Sequence, residues 1–299
     1  MFHTNLKTRR RLIAGIFLIA LPLTCIGIFQ TRAGLNARYA IIRVFHRNFT
    51  ATPVHGFRMF LNPDDRIITP YIMSYRSWEA EQTGQIVEHL RPGDTFVDAG
   101  ANVGYYTLVA ANLVGKTGRV FAFEPDPESY AILLKNIKLN GLTNVIAEQM
   151  ALSNAPGALK LYLAKENKGD HHTIDRGDEL PFVEVPAVTL DEYFRDDARG
   201  VDFIKIDTQG AEASILSGMQ TLLDRNAAMK IVMEFGPDSI RGFGFDPRVL
   251  LNSLRKRGYI LYDINEDPPL TQPTNVDELL RKYPATKPET NLLLLSSER

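Results

Sequence analysis

Three carboxylates stand where a short apolar run gives way to a turn. They are Asp98 in Phe96-Val97-Asp98-Ala99-Gly100-Ala101-Asn102-Val103-Gly104-Tyr105, Glu124 in Phe123-Glu124-Pro125, and Asp207 in Ile204-Lys205-Ile206-Asp207. Ligands of an open α/β sheet bind beyond the carboxyl ends of the strands, so these are the first positions to read for chemistry. Gly100 and Gly104 allow a tight turn and a close backbone approach. Free N–H groups at the start of the next helix face the same spot. The order Gly100-x-Asn102-x-Gly104 does not meet the G-x-G-x-x-G of a dinucleotide site, which seats a pyrophosphate on the helix N-terminus. A carboxylate at Asp98 is an awkward neighbour for a pyrophosphate and an attractive one for a cation. The ammonium and sulfonium of S-adenosylmethionine suit it. Glu124 is placed to accept hydrogen bonds from ribose hydroxyls, which either adenosine cofactor presents. The backbone of Met150-Ala151 is the candidate for the adenine edge.

On the other side of such a cofactor a methyl acceptor would meet Asp207. His171 and His172 lie in the polar stretch Gly169-Asp170-His171-His172-Thr173. An imidazole there could take a hydroxyl proton, and His172 is the one assigned to that role beside Asp207; two solvated loop histidines are the plainer reading. Glu234, ahead of Gly236-Pro237, is a further acceptor-side candidate. The Asn/Asp-Pro-Pro-aromatic turn of amine-directed nucleobase methyltransferases is absent, which speaks against a nucleobase amine. Cys25 is the only cysteine, which excludes disulfide frameworks and multi-cysteine zinc sites; no metal is expected.

The elements that must hold these residues alternate strand and helix from about residue 83. Strands are expected at 95–97, 119–123, 144–149, 201–206, 230–235, 259–264 and 291–295. Helices are expected at 82–90, 103–114, 126–140, 211–223 and 247–257. Asp126 suits an N-cap, Pro127 the first turn and Gly141 the stop of the third helix. Residues 158–163 and 182–188 form a strand pair outside this rhythm. The long polar loop between them has the length of a functional one. Lys205, inside an apolar strand, must snorkel or pair with a carboxylate.

The chain has 299 residues, 44% apolar and 23% charged, with a formal charge of -1. This is globular composition, with no global basic field to draw in nucleic acid. Residues 12–29 are apolar with Thr24 as their weakly polar member, and Lys7, Arg9, Arg10 and Arg11 precede them. As a helix they rise about 27 Å, close to the roughly 30 Å hydrocarbon core. A membrane anchor over residues 1–30 is therefore expected, with a cleavable signal peptide as the alternative. Arg32, Arg38, Arg43 and Arg47 balance the upstream charges, so the positive-inside rule gives no orientation. Residues 31–77 read as a basic connector that packs on the domain or touches anionic headgroups, and 78–299 as the catalytic domain.

Taken together, Val97 to Thr107, Phe123-Glu124-Pro125, and Ile204-Lys205-Ile206-Asp207 with Gly210-Ala211-Glu212 resemble the FkbM family of methyltransferases. Thr189-Leu190-Asp191 and Met233-Glu234-Phe235 are similar to its later signatures. The resemblance runs from about Trp78-Glu79 to Leu295. It implies an α/β, Rossmann-like, seven-stranded class I methyltransferase sheet with helices on both faces and an antiparallel last strand, here preceded by a transmembrane helix. The implied activity is methyl transfer from S-adenosyl-L-methionine, usually to a hydroxyl of a sugar, glycan or similar small metabolite, with a lipid-linked acceptor compatible with a membrane tether. Asp98, Gly100, Asn102, Gly104, Glu124 and Ala151 would hold the cofactor, and Asp207 and His172 would act on the acceptor. Because the cofactor is made in the cytosol, the domain is expected to face it. Thr208-Gln209 departs from the family, which often has a hydrophobic residue and Glu there. An NAD-linked oxidoreductase and a non-catalytic binding module of the same fold are the rivals.

Overall fold

The computed structural model describes residues 52–177, 179–265, 272–284 and 289–297. The chain enters through a hairpin, β1 (Thr52–Val54) and β2 (Phe57–Met59), followed by α1 (Ile68–Tyr75) and α2 (Ala80–His89). Then come β3 (Thr95–Ala99), α3 (Tyr105–Val114), β4 (Arg119–Phe123), α4 (Pro127–Leu139) and β5 (Val145–Glu148). Three strands lie apart, β6 (Ala151–Leu152), β7 (Gly157–Tyr162) and β8 (Phe182–Val188), with the short α5 (Leu190–Tyr193) behind them. The alternation resumes with β9 (Phe203–Ile206), α6 (Glu212–Ser217), α7 (Gln220–Arg225), β10 (Lys230–Phe235), α8 (Pro237–Gly242), α9 (Pro247–Lys256), β11 (Tyr259–Asp263), α10 (Val276–Lys282) and β12 (Thr290–Ser296).

Seven strands make one sheet in the order β11-β12-β10-β9-β3-β4-β5. The pairs β10–β9, β9–β3, β3–β4 and β4–β5 are parallel, and β12 runs against both of its neighbours. The chain order reverses between β3 and β9, which is where an open α/β sheet carries its ligand. Strands covered on both faces read as continuous apolar runs, and every residue of β3 and β9 is buried. Alternate side chains feed opposite layers: Phe96, Val120 and Phe203 join the packing under α3, while Val97, Phe121 and Ile204 join that under α6 and α9. Phe96 and Phe203 meet edge to face, 5.5 Å between centroids, a contact worth roughly 0.5–1.5 kcal/mol beyond its buried area.

The caps follow the residues expected of them. Asp126 accepts from the Ser129 N–H at 2.8 Å with Pro127 at the first helical position. One expected helix is two: 211–223 breaks at Gly218, where a Cβ would stand 2.1 Å from the Ser153 carbonyl oxygen. That contact seats the helical layer against the β6-β8-β7 sheet, so the residue is fixed by packing.

Residues 52–75 of the expected connector belong to the compact unit that begins at Thr50. Asn136 of α4 accepts from the Phe60 N–H at 2.6 Å and donates to the Phe60 carbonyl at 2.9 Å. Asn140, one turn later, does the same for Arg58. Two side-chain amides thus serve as a strand for β2 and the residue that follows it. The expected transmembrane helix at 12–29 lies outside the described residues. Among those described, no helix is long and apolar enough to cross a membrane.

Candidate active site

The turns after β3, β4 and β9 converge at the switch in strand order. The Asp207 N–H donates to the Ala99 carbonyl at 3.1 Å, and the Gly100 and Ala101 N–H groups both donate to the Phe123 carbonyl. Gly100 has φ +80, and a Cβ there would lie 2.0 Å from the Asp207 carbonyl oxygen. The first turn can therefore touch the third only through a glycine. Asn102 follows in the left-handed region, φ 49. Its N–H donates to Glu124 Oε2 at 2.6 Å, and the Asp126 N–H donates to Oε1 at 2.8 Å. Burial pushes the Glu124 carboxyl up to about 8 against the pull of these two donors.

Lys205 is buried in β9. Its Nζ lies 3.3 Å from Asp207 Oδ2, 3.7 Å from Asp98 Oδ1 and 3.2 Å from the Gly100 carbonyl oxygen, and it faces the Tyr106 ring. Burial works to lower its pKa, but Asp207, Asp98 and Glu79 outweigh it and raise the pKa, so the ammonium stays charged. Gln209 Nε2 donates to both Asp207 Oδ1 and Glu234 Oε2, at 3.2 and 3.3 Å. Glu212 Oε1 collects the Thr208 N–H, the Thr208 hydroxyl and the Gly210 N–H, and fixes this turn from beneath. Burial raises the Glu212 carboxyl to about 7. Glu234 is pushed well up, first by burial and then by Asp207, Glu212 and Glu289.

Two cavities open here. The first, of about 580 Å³, has apolar walls from Phe123, Leu152 and Leu161 and polar groups from Glu124, Asp207 and His171. The second, of about 910 Å³, is lined by Trp78, Glu79, Tyr106, Lys205, Asp207 and Glu234 among others. Gly100, Asn102, Gly169, Asp207 and Gln209 border both.

Gly100, Asn102, Glu124, Ala151 and Asp207 are thus brought together around the first cavity. Three expected residues are elsewhere. Asp98 is fully buried beneath the turn, lines neither cavity, and is held by the Thr107 hydroxyl at 2.6 Å and by Lys205. It stands in β3 level with Lys205, two positions behind Gly100, so the turn lies beyond it. Gly104 caps α3 with φ +92, and its missing side chain makes room for Leu133 of α4. His172 is buried, bridged to and stacked on Tyr162. Because residues alternate across such a bridge, the histidine at the cavity wall is His171. Its Nδ1 accepts from the Ala164 N–H at 2.9 Å, and burial lowers its pKa. Glu79, Trp78 and Tyr106 escape a reading confined to strand ends. A tryptophan and a carboxylate just before a helix are their visible signal.

The sheet order and the paired cavities define a Rossmann-like domain of the class I methyltransferase type. Residues 98–261 match the methyltransferase FkbM domain, and the chain belongs to that family. It is similar to methyltransferase sdnD of Sordaria araneosa, 31% identical over 160 residues, which is 43% of this chain and 61% of that protein. It is also similar to methyltransferase 1 of Beauveria bassiana, 27% identical over 150 residues, 43% of this chain and 59% of that protein. The match thus spans about three fifths of the length of these relatives. Among solved structures, the S-adenosylmethionine-dependent O-methyltransferase of Thermotoga maritima aligns at 14% identity and TM-score 0.42, covering 78% of this chain and 72% of that one. S-adenosylmethionine is the cofactor that the family implies, and the first cavity has groups that fit it. These are apolar walls for the adenine, the Glu124 carboxylate for the ribose and Asp207 toward the cationic end.

Proposed function

We propose that this chain transfers the methyl group of S-adenosylmethionine to a hydroxyl oxygen of a sugar, glycan, lipid-linked or similar small acceptor. The observation that carries the reading is the junction of two cavities at Asp207, one with an adenosine-like lining and the other rich in carboxylates and aromatic rings. When bound, the cofactor supplies an activated methyl on a sulfonium, so the protein's task is alignment and exclusion of water. Glu124, already oriented by two backbone N–H groups, keeps lone pairs for the ribose hydroxyls. Asp207, held by Lys205 and Gln209, orients the acceptor at the shared wall. His171 stands beside the cofactor cavity rather than over the acceptor.

Calorimetric titration of the whole chain with S-adenosylhomocysteine and NAD tests the cofactor. S-adenosylhomocysteine should bind and NAD should not, and Glu124→Ala should weaken the former at least tenfold. Binding of NAD alone, or of neither, overturns the proposal. Methyl-labelled cofactor then tests the bond: label that survives mild alkali marks an ether, whereas label released as methanol marks an ester and sinks the hydroxyl assignment. A single-pass anchor at residues 12–29, with the domain in the cytosol where the cofactor is made, completes the reading. Protease protection of the domain in sealed inverted vesicles would refute that orientation.

A further inference from the structure

We propose that the second cavity is an acceptor subsite for a cyclic polyol, and that Glu79, beside the chain's single tryptophan, binds and deprotonates the hydroxyl to be methylated. The inference rests on the methyl-transfer reading and adds to it a site supplied from before residue 98, outside the matched domain. Trp78 and Glu79 line the same cavity as Lys205, Asp207 and Glu234. Local hydrogen bonds hold them there. The Thr83 hydroxyl donates to the Trp78 carbonyl at 2.7 Å and the Thr83 N–H donates to the Glu79 carbonyl at 2.9 Å. Glu79 itself is left-handed, φ 39, a conformation that a side chain other than glycine adopts only where its surroundings impose it. It stands at the N-cap of α2 without capping it, so the carboxylate is spent on something other than the helix.

Its surroundings separate it from Asp207. The Asp207 charge is matched by Lys205 at 3.3 Å. Glu79 Oε2 instead accepts from a neutral donor, the Tyr106 hydroxyl, at 2.9 Å. The groups facing Glu79 are Tyr106 from α3, Lys205 and Asp207 from β9 and its turn, and Asn291 from β12, with Glu234 and Glu289 on the same cavity wall. Burial first, and then Asp207, pushes the Glu79 carboxyl up to about 7, where a group can take and return a proton at neutral pH. Glu234 too is pushed well up, first by burial and then by Asp207.

The aromatic lining names the class of acceptor. Trp78 meets Tyr71 edge to face at 5.2 Å, and Tyr71 packs on Tyr75 at 4.7 Å. The cavity itself is lined by Trp78, Tyr105 and Tyr106 together with Glu79, Asp207 and Glu234, and aromatic surface beside carboxyl groups complements the C–H side and O–H edge of a pyranose-like ring. Tyr71 and Tyr75, 40% and 59% exposed on α1, continue the aromatic cluster beyond Trp78. In the step, the acceptor oxygen bonds to the methyl carbon as its proton passes to Glu79. The carbon–sulfur bond breaks with its pair remaining on sulfur, and the proton leaves Glu79 for water after release.

Trp78 is a built-in reporter, since the sequence has one tryptophan. The test titrates the whole chain, saturated with S-adenosylhomocysteine, with a panel of methyl hexopyranosides and with butylamine as a cationic control, reading Trp78 fluorescence from pH 5.5 to 8.5. At least one hexopyranoside should change the signal, with affinity rising as pH passes about 7. Glu79→Gln should lose at least tenfold in sugar affinity and flatten the pH profile, Glu79→Asp should recover part of it, and both should bind S-adenosylhomocysteine within threefold of wild type, which shows that the fold is intact. Response to butylamine alone, no response to any sugar, or an unaltered Glu79→Gln overturns the subsite. Failure of S-adenosylhomocysteine to bind wild type removes the methyl-transfer reading itself, and the subsite with it.

Discussion

Glu124 and Glu212 are both buried carboxylates that hold a turn at the site, and they spend their oxygens differently. Glu212 collects all three of its donors on Oε1, whereas Glu124 receives one backbone N–H on each oxygen. Glutamine retains one carbonyl oxygen, so Glu212→Gln should keep the turn and change the urea midpoint little. Glu124→Gln must point an NH2 at an N–H, which costs on the order of 1–3 kcal/mol for the unsatisfied donor and should weaken S-adenosylhomocysteine binding in the same preparation. Equal losses in the two variants would show that the split reading of their oxygens is wrong. Lys205→Met is the harsher change. It leaves Asp98 and Asp207 without their buried cation, and breaking a buried pair from one side costs about 3–5 kcal/mol; chemical denaturation should show it. These residues were legible to different degrees. Glu124 and Asp207 stand at strand ends and face the cleft as their positions suggest. Asp98 stands two positions further back in register, on the same side of the sheet but walled off by Lys205 and the Thr107 hydroxyl, a depth that its strand pattern does not reveal. The His171–His172 pair carries a different ambiguity, because composition cannot say which neighbour faces inward.

At the scale of elements, the alternation of apolar runs was enough to place the seven sheet strands, because strands covered on both faces leave a plain apolar signature. The pieces that the pattern missed are short. The β1–β2 hairpin has three residues per strand, and α10 carries its evidence in the Asn275 cap, the acids of its first turn and the bases of its last. What attaches the segment after the hairpin is not apolar periodicity at all. Asn136, fully buried, serves both the N–H and the carbonyl of Phe60 and also donates to the Val103 carbonyl at 2.7 Å. Asn136→Ala should therefore orphan three backbone groups at once, costing about 3 kcal/mol or more at roughly 1–3 kcal/mol for each group left buried. Limited proteolysis should then cut first between residues 55 and 67, while the sheet core resists. If cleavage begins elsewhere, or protection is unchanged, the amides are not what holds this segment.

For the whole molecule, a net charge of -1 leaves little general repulsion, so a few buried carboxyls decide how stability follows pH. Glu124 and Glu212 have folded-state values raised to about 8 and about 7 by burial, above the ordinary carboxylate value near 4.3 that holds in the unfolded chain. Between those limits the folded state binds more protons than the unfolded one, so their contribution is present in full below about 4 and is lost as pH rises through 7 and 8. Asp197 works in the opposite sense. Its hydrogen bonds to Arg119 hold it below the usual range, and its contribution is present at neutral pH and lost in acid. Asp263 does likewise: Lys282, Thr290 and Tyr283 outweigh its burial. The two sets leave a window of maximum stability at about pH 4–5, above which the raised carboxyls and below which the lowered ones lose their contributions. Urea midpoints measured from pH 3 to 9 should peak there and fall on the alkaline side by several kcal/mol in equivalent free energy, at about 1.4 kcal/mol for each tenfold difference in proton affinity between the folded and unfolded chain. Glu212→Gln should flatten the alkaline limb and leave the acid limb alone. A wild-type profile that is level from pH 5.5 to 8.5 would mean that these carboxyls ionise freely inside the fold. S-adenosylhomocysteine fixed at a hundred times its pH 7 dissociation constant adds about 2.7 kcal/mol at that pH, and at the same concentration should lift the curve further as pH rises past about 8, where Glu124 is ionised and accepts from the ribose hydroxyls.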